Sequence, residues 1–163
     1  LIETIYEGVP VLRLDHRVGI VSSFAGEKVT ELQIVLAIER ASAATGFRPG
    51  VFQVAPERVG GDRASFRYAV QLELDGEVAT PLLREFLAVI ETDLYERNSQ
   101  YALNRNLGAL GAAVLYRMRP GYFDGVLRAR PAQGRNDIQF KLIALDTQLR
   151  VEDATAILET VEL

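Results

Sequence analysis

Two lysine-bearing segments lie far apart in the chain, Gly26-Glu27-Lys28-Val29-Thr30-Glu31 and Gln139-Phe140-Lys141. A lysine ammonium is a compact charge on a long flexible stem, and within hydrogen-bonding distance it stabilises negative charge developing on oxygen. Each lysine taken alone also reads as a solvated loop or strand-end residue. Between them, Asn98-x-x-Tyr101-x-x-x-Arg105 places three polar side chains on one helical face at intervals of three and four. Pro120-Gly121-x-Phe123 has the form of a turn with an aromatic anchor. Other constellations carry less. His16, flanked by Asp15 and Arg17, has no serine or cysteine that the sequence can place beside it. Gly60-Gly61-Asp62-Arg63 lacks the lysine and hydroxyl of a nucleotide loop, and no helix follows it. The acidic residues near the end of the chain are scattered without metal-ligand spacing, so no metal site is expected.

Bulk properties narrow the classes. At 163 residues and 48% hydrophobic content, the chain can bury one well-packed core. With 18 basic against 22 acidic side chains the net charge is −4, which leaves no broad positive field for a polyphosphate backbone, so nucleic acid is not an expected partner. The absence of cysteine removes disulfides, thiolate nucleophiles and the usual zinc clusters, and a single histidine removes most imidazole chemistry. No apolar run approaches the roughly 18 to 20 residues that span a bilayer, and no signal-peptide pattern opens the chain, which points to a soluble, cytoplasmic protein without a membrane partner. Leu1 is not an initiator methionine and Met118 is the only methionine, so the chain is expected to begin inside a longer product.

The elements that must position these residues follow from periodicity. Residues 9–14 and 20–23 are short β-favouring runs around a polar break at 15–17, a pattern that suits a hairpin or a bent pair of strands. Thr30 and Gln33 have the spacing of a capping box, and a well-buried helix should run from there to about Thr45, stopped by Gly46, Pro49 and Gly50. Strands are expected over 51–55 and 66–74. Thr80-Pro81 offers a capping hydroxyl ahead of proline at the first helical position, and Leu83, Phe86, Leu87, Ile90 and Leu94 then recur at helical spacing. A polar helical stretch over 98–106, a strand over 113–118, a short helix over 122–130 and a last helix over 152–161 complete the reading. The order predicts an α+β domain with a small mixed or antiparallel sheet, helices packed on one face, and a hinge hairpin in front.

Taken together and in this order, the four motifs resemble the carboxy-terminal domain of the auxin-responsive Gretchen Hagen family of acyl-acid amido synthetases. The likeness runs from about Val11 to Lys141. Residues 17–31 separately resemble the junction of the wider adenylate-forming superfamily, in which an arginine, a hinge residue, an apolar stretch and a Gly-Glu loop lead into a helix. The resemblance implies that Lys141 is the adenylation lysine and that Arg17 contacts the nucleotide ribose. It also implies that Gly26, Glu27 and Lys28 approach the nucleotide and that Gly19 is the hinge, where the superfamily more often has aspartate or lysine. Glycine is permissive at a position that must change φ and ψ. Arg17 reads equally as a surface ion pair with Asp15 or Glu27, and residues 26–28 as a tight turn before a capped helix. Asn98, Tyr101 and Arg105 read as structural, with the Tyr101 hydroxyl satisfied.

The activity so implied is that of an ATP-dependent ligase. A carboxylic acid and MgATP give an acyl-adenylate and pyrophosphate, and an amine, typically of an amino acid, then displaces AMP. Residues 1–17 would be the end of a large amino-terminal adenylation domain or its hinge region, and 18–163 the mobile carboxy-terminal lid, inactive alone. ATP and magnesium would be bound mainly by the large domain. Two alternatives share the fold: a free-standing, non-catalytic binding or oligomerisation module, and the small subunit of a split ligase.

Overall fold

A computed structural model describes residues 2–6, 9–12, 20–60, 65–74, 76–129, 144–147, 149 and 154–163. The molecule is organised on a four-stranded mixed sheet formed by β5 (Val51–Val59), β6 (Ser65–Glu73), β7 (Val114–Met118) and β8 (Ile157–Glu162) in that spatial order. The β5–β6 and β7–β8 pairs are antiparallel, whereas β6 and β7 run parallel. A parallel pair needs a crossover. Helices α2 (Thr80–Arg97) and α3 (Ser99–Asn106) supply it. Together with α1 (Glu31–Thr45) they cover one face of the sheet, where Ile34, Ile38, Leu83, Phe86, Leu87 and Leu94 pack against Tyr68, Val70, Leu72 and Leu115. The expected α+β class, with a mixed sheet and helices on one face, is what the fold shows. The short helix α4 (Tyr122–Ala129) differs, since Tyr122 packs with Ala69, Val114, Tyr116 and Met118 on the opposite face.

Local chemistry explains most boundaries. Thr30 caps α1 in a complete capping box with Gln33, and Gly46 ends the helix in the left-handed region with its N–H on the Ser42 carbonyl. Burial of α1 is narrower than its composition suggests. Ile34, Ala37, Ile38 and Ala41 are buried, but Leu32 and Leu36 on the other side are exposed. Strand β5 passes through Pro56, beyond the expected end at residue 55, because β5 is the outer strand of the four. The Val54 N–H points away from β6, to the Ala144 carbonyl, and the same alternation turns position 56 outward, where proline has no N–H to lose.

Three expectations are corrected. Among the described residues the runs expected over 9–14 and 20–23 do not pair with each other: β2 (Val9–Leu12) forms a hairpin with β1 (Ile2–Tyr6), and β3 (Val21–Ser22) pairs with β4 (Val29–Thr30). The last helix expected over 152–161 is instead a single 3-10 turn, Ala154–Ala156, followed by β8. Ile157 and Val161, four residues apart, share a face in a strand as well as in a helix, and the free edge of β7 decides for strand. The Thr80 hydroxyl does not cap α2. Ala79 holds the cap position without a side-chain bond, and Thr80 donates to Glu159 of β8 at 2.5 Å.

Candidate functional site

Strands β3 and β4 are two residues each, too short to hold the turn between them by their ladder alone. Side chains hold it. Glu27 is 1% exposed, and its carboxylate accepts the N–H groups of Phe24 at 3.0 Å and Ala25 at 2.8 Å and the phenolic O–H of Tyr68 at 2.5 Å. Three donors compensate the desolvation of this carboxylate. Ser22 hydrogen-bonds the same phenol at 3.0 Å. Burial and then the Glu27 carboxylate push the Tyr68 pKa far above the ordinary tyrosine value, so the phenol remains a donor across the physiological range.

The turn is tied from the helical side as well. Asn98 ends α2 and caps α3, its side-chain oxygen accepting the N–H groups of Gln100 and Tyr101. Its amide nitrogen donates to the Glu27 carbonyl at 2.8 Å, and the Asn104 amide donates to the Ala25 carbonyl at 2.9 Å. Held this way, the turn presents two exposed residues in the left-handed region: Gly26 at φ +93° and Lys28 at φ +50°. Glycine accepts such a φ without strain, whereas a lysine there is uncommon and is kept only where the surroundings over-determine it.

A second junction lies at the first residue of α1. The Glu31 N–H donates to the Ile20 carbonyl at 3.1 Å, and its carboxylate accepts the Ala144 N–H at 2.9 Å. Ala144 is fixed in turn on β5, since the Val54 N–H reaches its carbonyl at 2.8 Å and the Asp146 N–H returns to the Val54 carbonyl at 2.8 Å. Segments distant in sequence therefore meet at one place: Ile20, which follows Gly19; the turn carrying Lys28; and Ala144, three residues after Lys141. Arg17, Gly19 and Lys141 themselves lie outside the described residues.

The remaining motif residues are structural, as their spacing suggests. Glu91 gathers Tyr101 O–H at 2.8 Å, Arg105 Nε at 2.5 Å and the Ala113 N–H at 2.9 Å, which locks α3 and the start of β7 onto α2. Glu73 accepts the N–H groups of Gly121 at 2.9 Å and Phe123 at 2.6 Å, fixing the Pro120-Gly121 turn with Phe123 buried behind it. A further polar cluster on the opposite face of the sheet joins Arg67 to Glu57, Glu162 and Tyr116. Burial and the neighbouring Glu57 push the Tyr116 pKa up to about 12. Among the described residues no three histidine, cysteine, aspartate or glutamate side chains gather as a metal site. No helix of the described residues is long and apolar enough to cross a membrane.

The turn singled out in the sequence holds Gly26 and Lys28 exposed, whereas the carboxylate of Glu27, which was expected to approach the nucleotide, faces inward. Tyr68 and Asn104, which brace the turn, are not among the residues that the sequence singles out. For Tyr68 a signal existed, because a tyrosine on the inward face of a central strand must find a partner for its hydroxyl.

A mixed sheet with a helical layer on one face and a braced Gly-Glu-Lys turn defines a class of domain. The model of the GH3 family C-terminal domain matches residues 32–147, and the chain belongs to that family. Among solved structures, it is similar to an AtGH3.15 acyl acid amido synthetase in complex with 2,4-DB, with a TM-score of 0.70 and 16% identity over 96% of this chain and 29% of that one. A second GH3.15 acyl acid amido synthetase structure gives 0.69 and 18% identity over 96% and 30%. The chain thus spans less than a third of the length of these structures. No curated protein matches it.

Proposed function

We propose that this chain is the mobile carboxy-terminal domain of an ATP-dependent, acyl-adenylate-forming ligase that joins a carboxylic acid to the amine of an amino acid, in the cytoplasm. Membership of the GH3 C-terminal family supports the reading. So does the likeness in fold to acyl acid amido synthetases of which the chain spans under a third. The observation that carries it is the convergence at Glu31, where the segment following Gly19, the Lys28 turn and the segment following Lys141 are held together.

In this reading the partner is a large amino-terminal adenylation domain, which binds MgATP and both organic substrates. Magnesium would neutralise phosphate charge there. The domain described here supplies cations. Lys141 stabilises the charge that gathers on the α-phosphate oxygens as the carboxylate attacks and pyrophosphate leaves. In this reading Lys28 meets a nucleotide phosphate, and its exposure on the turn and the open space above Gly26 support that role. Arg17 contacts the ribose, and rotation about Gly19 brings different faces of the domain to the nucleotide in the two steps.

The test is Lys141→Ala in the complete ligase. Pyrophosphate release should slow by about 100-fold or more if the ammonium stabilises the transition state. An unchanged adenylation rate would remove Lys141 from that role. The 163-residue chain alone should release no pyrophosphate from ATP.

A further inference from the structure

Five hydrogen bonds from outside the ladder brace the short turn between Ser22 and Val29: three onto the Glu27 carboxylate, one onto the Glu27 carbonyl and one onto the Ala25 carbonyl. The donors come from three places in the fold: the turn itself, strand β6 through Tyr68, and the α2–α3 region through Asn98 and Asn104. A turn that only reversed the chain would need none of this and would carry glycine or asparagine at both left-handed positions. Here the second such position is a lysine at φ +50°, with its side chain in solvent. Bracing on this scale around a strained, exposed cation is the pattern of pre-organisation, in which a charged group is fixed before its ligand arrives.

We propose that Glu27 and Tyr68, with Asn104 from the helical side, are positioning residues for Lys28, so that the Glu27 carboxylate serves the nucleotide site through the backbone of the turn and not by touching the ligand. The inference rests on the reading of Lys28 as a nucleotide-phosphate contact. Glu27 lies immediately before Lys28, so loss of the Tyr68 bond frees the carboxylate, the Phe24 and Ala25 amides lose their fixed acceptor, and the φ of Lys28 is no longer enforced. Tyr68→Phe removes one oxygen from a buried ring and leaves the ring's packing against Tyr101 in place.

The experiment is a double-mutant cycle in the complete ligase, read as the dissociation constant for AMP at low and high ionic strength. Lys28→Ala should weaken AMP binding by about 10-fold, as expected for loss of one charge-assisted contact, and flatten its salt dependence. Tyr68→Phe should produce a loss of the same kind, also with a flattened salt dependence. In the Lys28→Ala background, Tyr68→Phe should then change binding by less than about 2-fold, because its effect passes through Lys28. Asn104→Ala should couple to Lys28 in the same way, and it decides the matter if Tyr68→Phe does not fold. Equal losses in both backgrounds, or no loss from the bracing variants beside a clear loss from Lys28→Ala, overturn the proposal. A silent Lys28→Ala instead overturns the underlying reading of Lys28.

Discussion

Gly26 and Lys28 both occupy the left-handed region, yet substitution should affect them unequally. A Cβ added at Gly26 meets nothing within 4 Å, so Gly26→Ala acts through the backbone alone. The cost of an L-residue there should lower stability by about 1–2 kcal/mol, read as a fall in the midpoint of thermal or urea unfolding. At Lys28 the strain is already present. Lys28→Gly should therefore change stability by less than about 1 kcal/mol, relief of strain offsetting the extra entropy of the unfolded chain. A large stability loss from Lys28→Gly would mean that the side chain contributes to the fold. The turn that carries Gly26 and Lys28 was legible in the sequence because a Gly-Glu-Lys loop before a capped helix is a local pattern. The inward orientation of Glu27 was not legible, because its main side-chain partner, Tyr68, is 41 residues away.

Local signals fixed some boundaries, such as the start of α1, but not the cap of α2, where Thr80 turns to Glu159 of β8. The box formed by Thr30 and Gln33 fixes the start of α1, and Thr30→Ala should lower stability by about 1 kcal/mol. The 3-10 turn and β8 replaced an expected helix because Ile157 and Val161, four residues apart, share a face in either structure and β7 offers an edge. The α1–α2 contact carries a pH signature. Asp93 of α2 is buried and accepts from Arg40 of α1 at 2.7 Å and from Arg97 at 2.7 Å. Burial alone would raise its pKa, but the hydrogen bonds from the two arginines outweigh it and hold the carboxyl below its usual range. A depressed folded pKa contributes stability that is complete above the unfolded value of about 4 and is lost as pH falls through the lower folded value. In acid titrations of stability, Asp93→Asn should be less stable than the parent chain at neutral pH, and the gap should narrow below about pH 4. A gap that stays constant down to pH 2 would exclude this ion pair as the source.

At the scale of the whole molecule, the proposed function requires this domain to hold a large adenylation domain without binding it tightly. The chain spans 29–30% of acyl acid amido synthetase structures that share its fold, and the proposed mechanism needs the domain to swing between two poses. A domain that must leave its partner each cycle cannot bind it through a large apolar interface, since such an interface would stop the motion. The tether then does what affinity does not. A short flexible linker holds its domain at an effective concentration on the order of 1 mM, whereas the same domain added separately at about 10 µM is roughly 100-fold more dilute. Added in trans to a ligase truncated before this domain, the chain should restore only about 1% of pyrophosphate release, with rescue rising in proportion to the amount added. Full rescue at micromolar concentration would show a stable interface between separate polypeptides, the behaviour of a split ligase, and would count against a lid that works by coming and going.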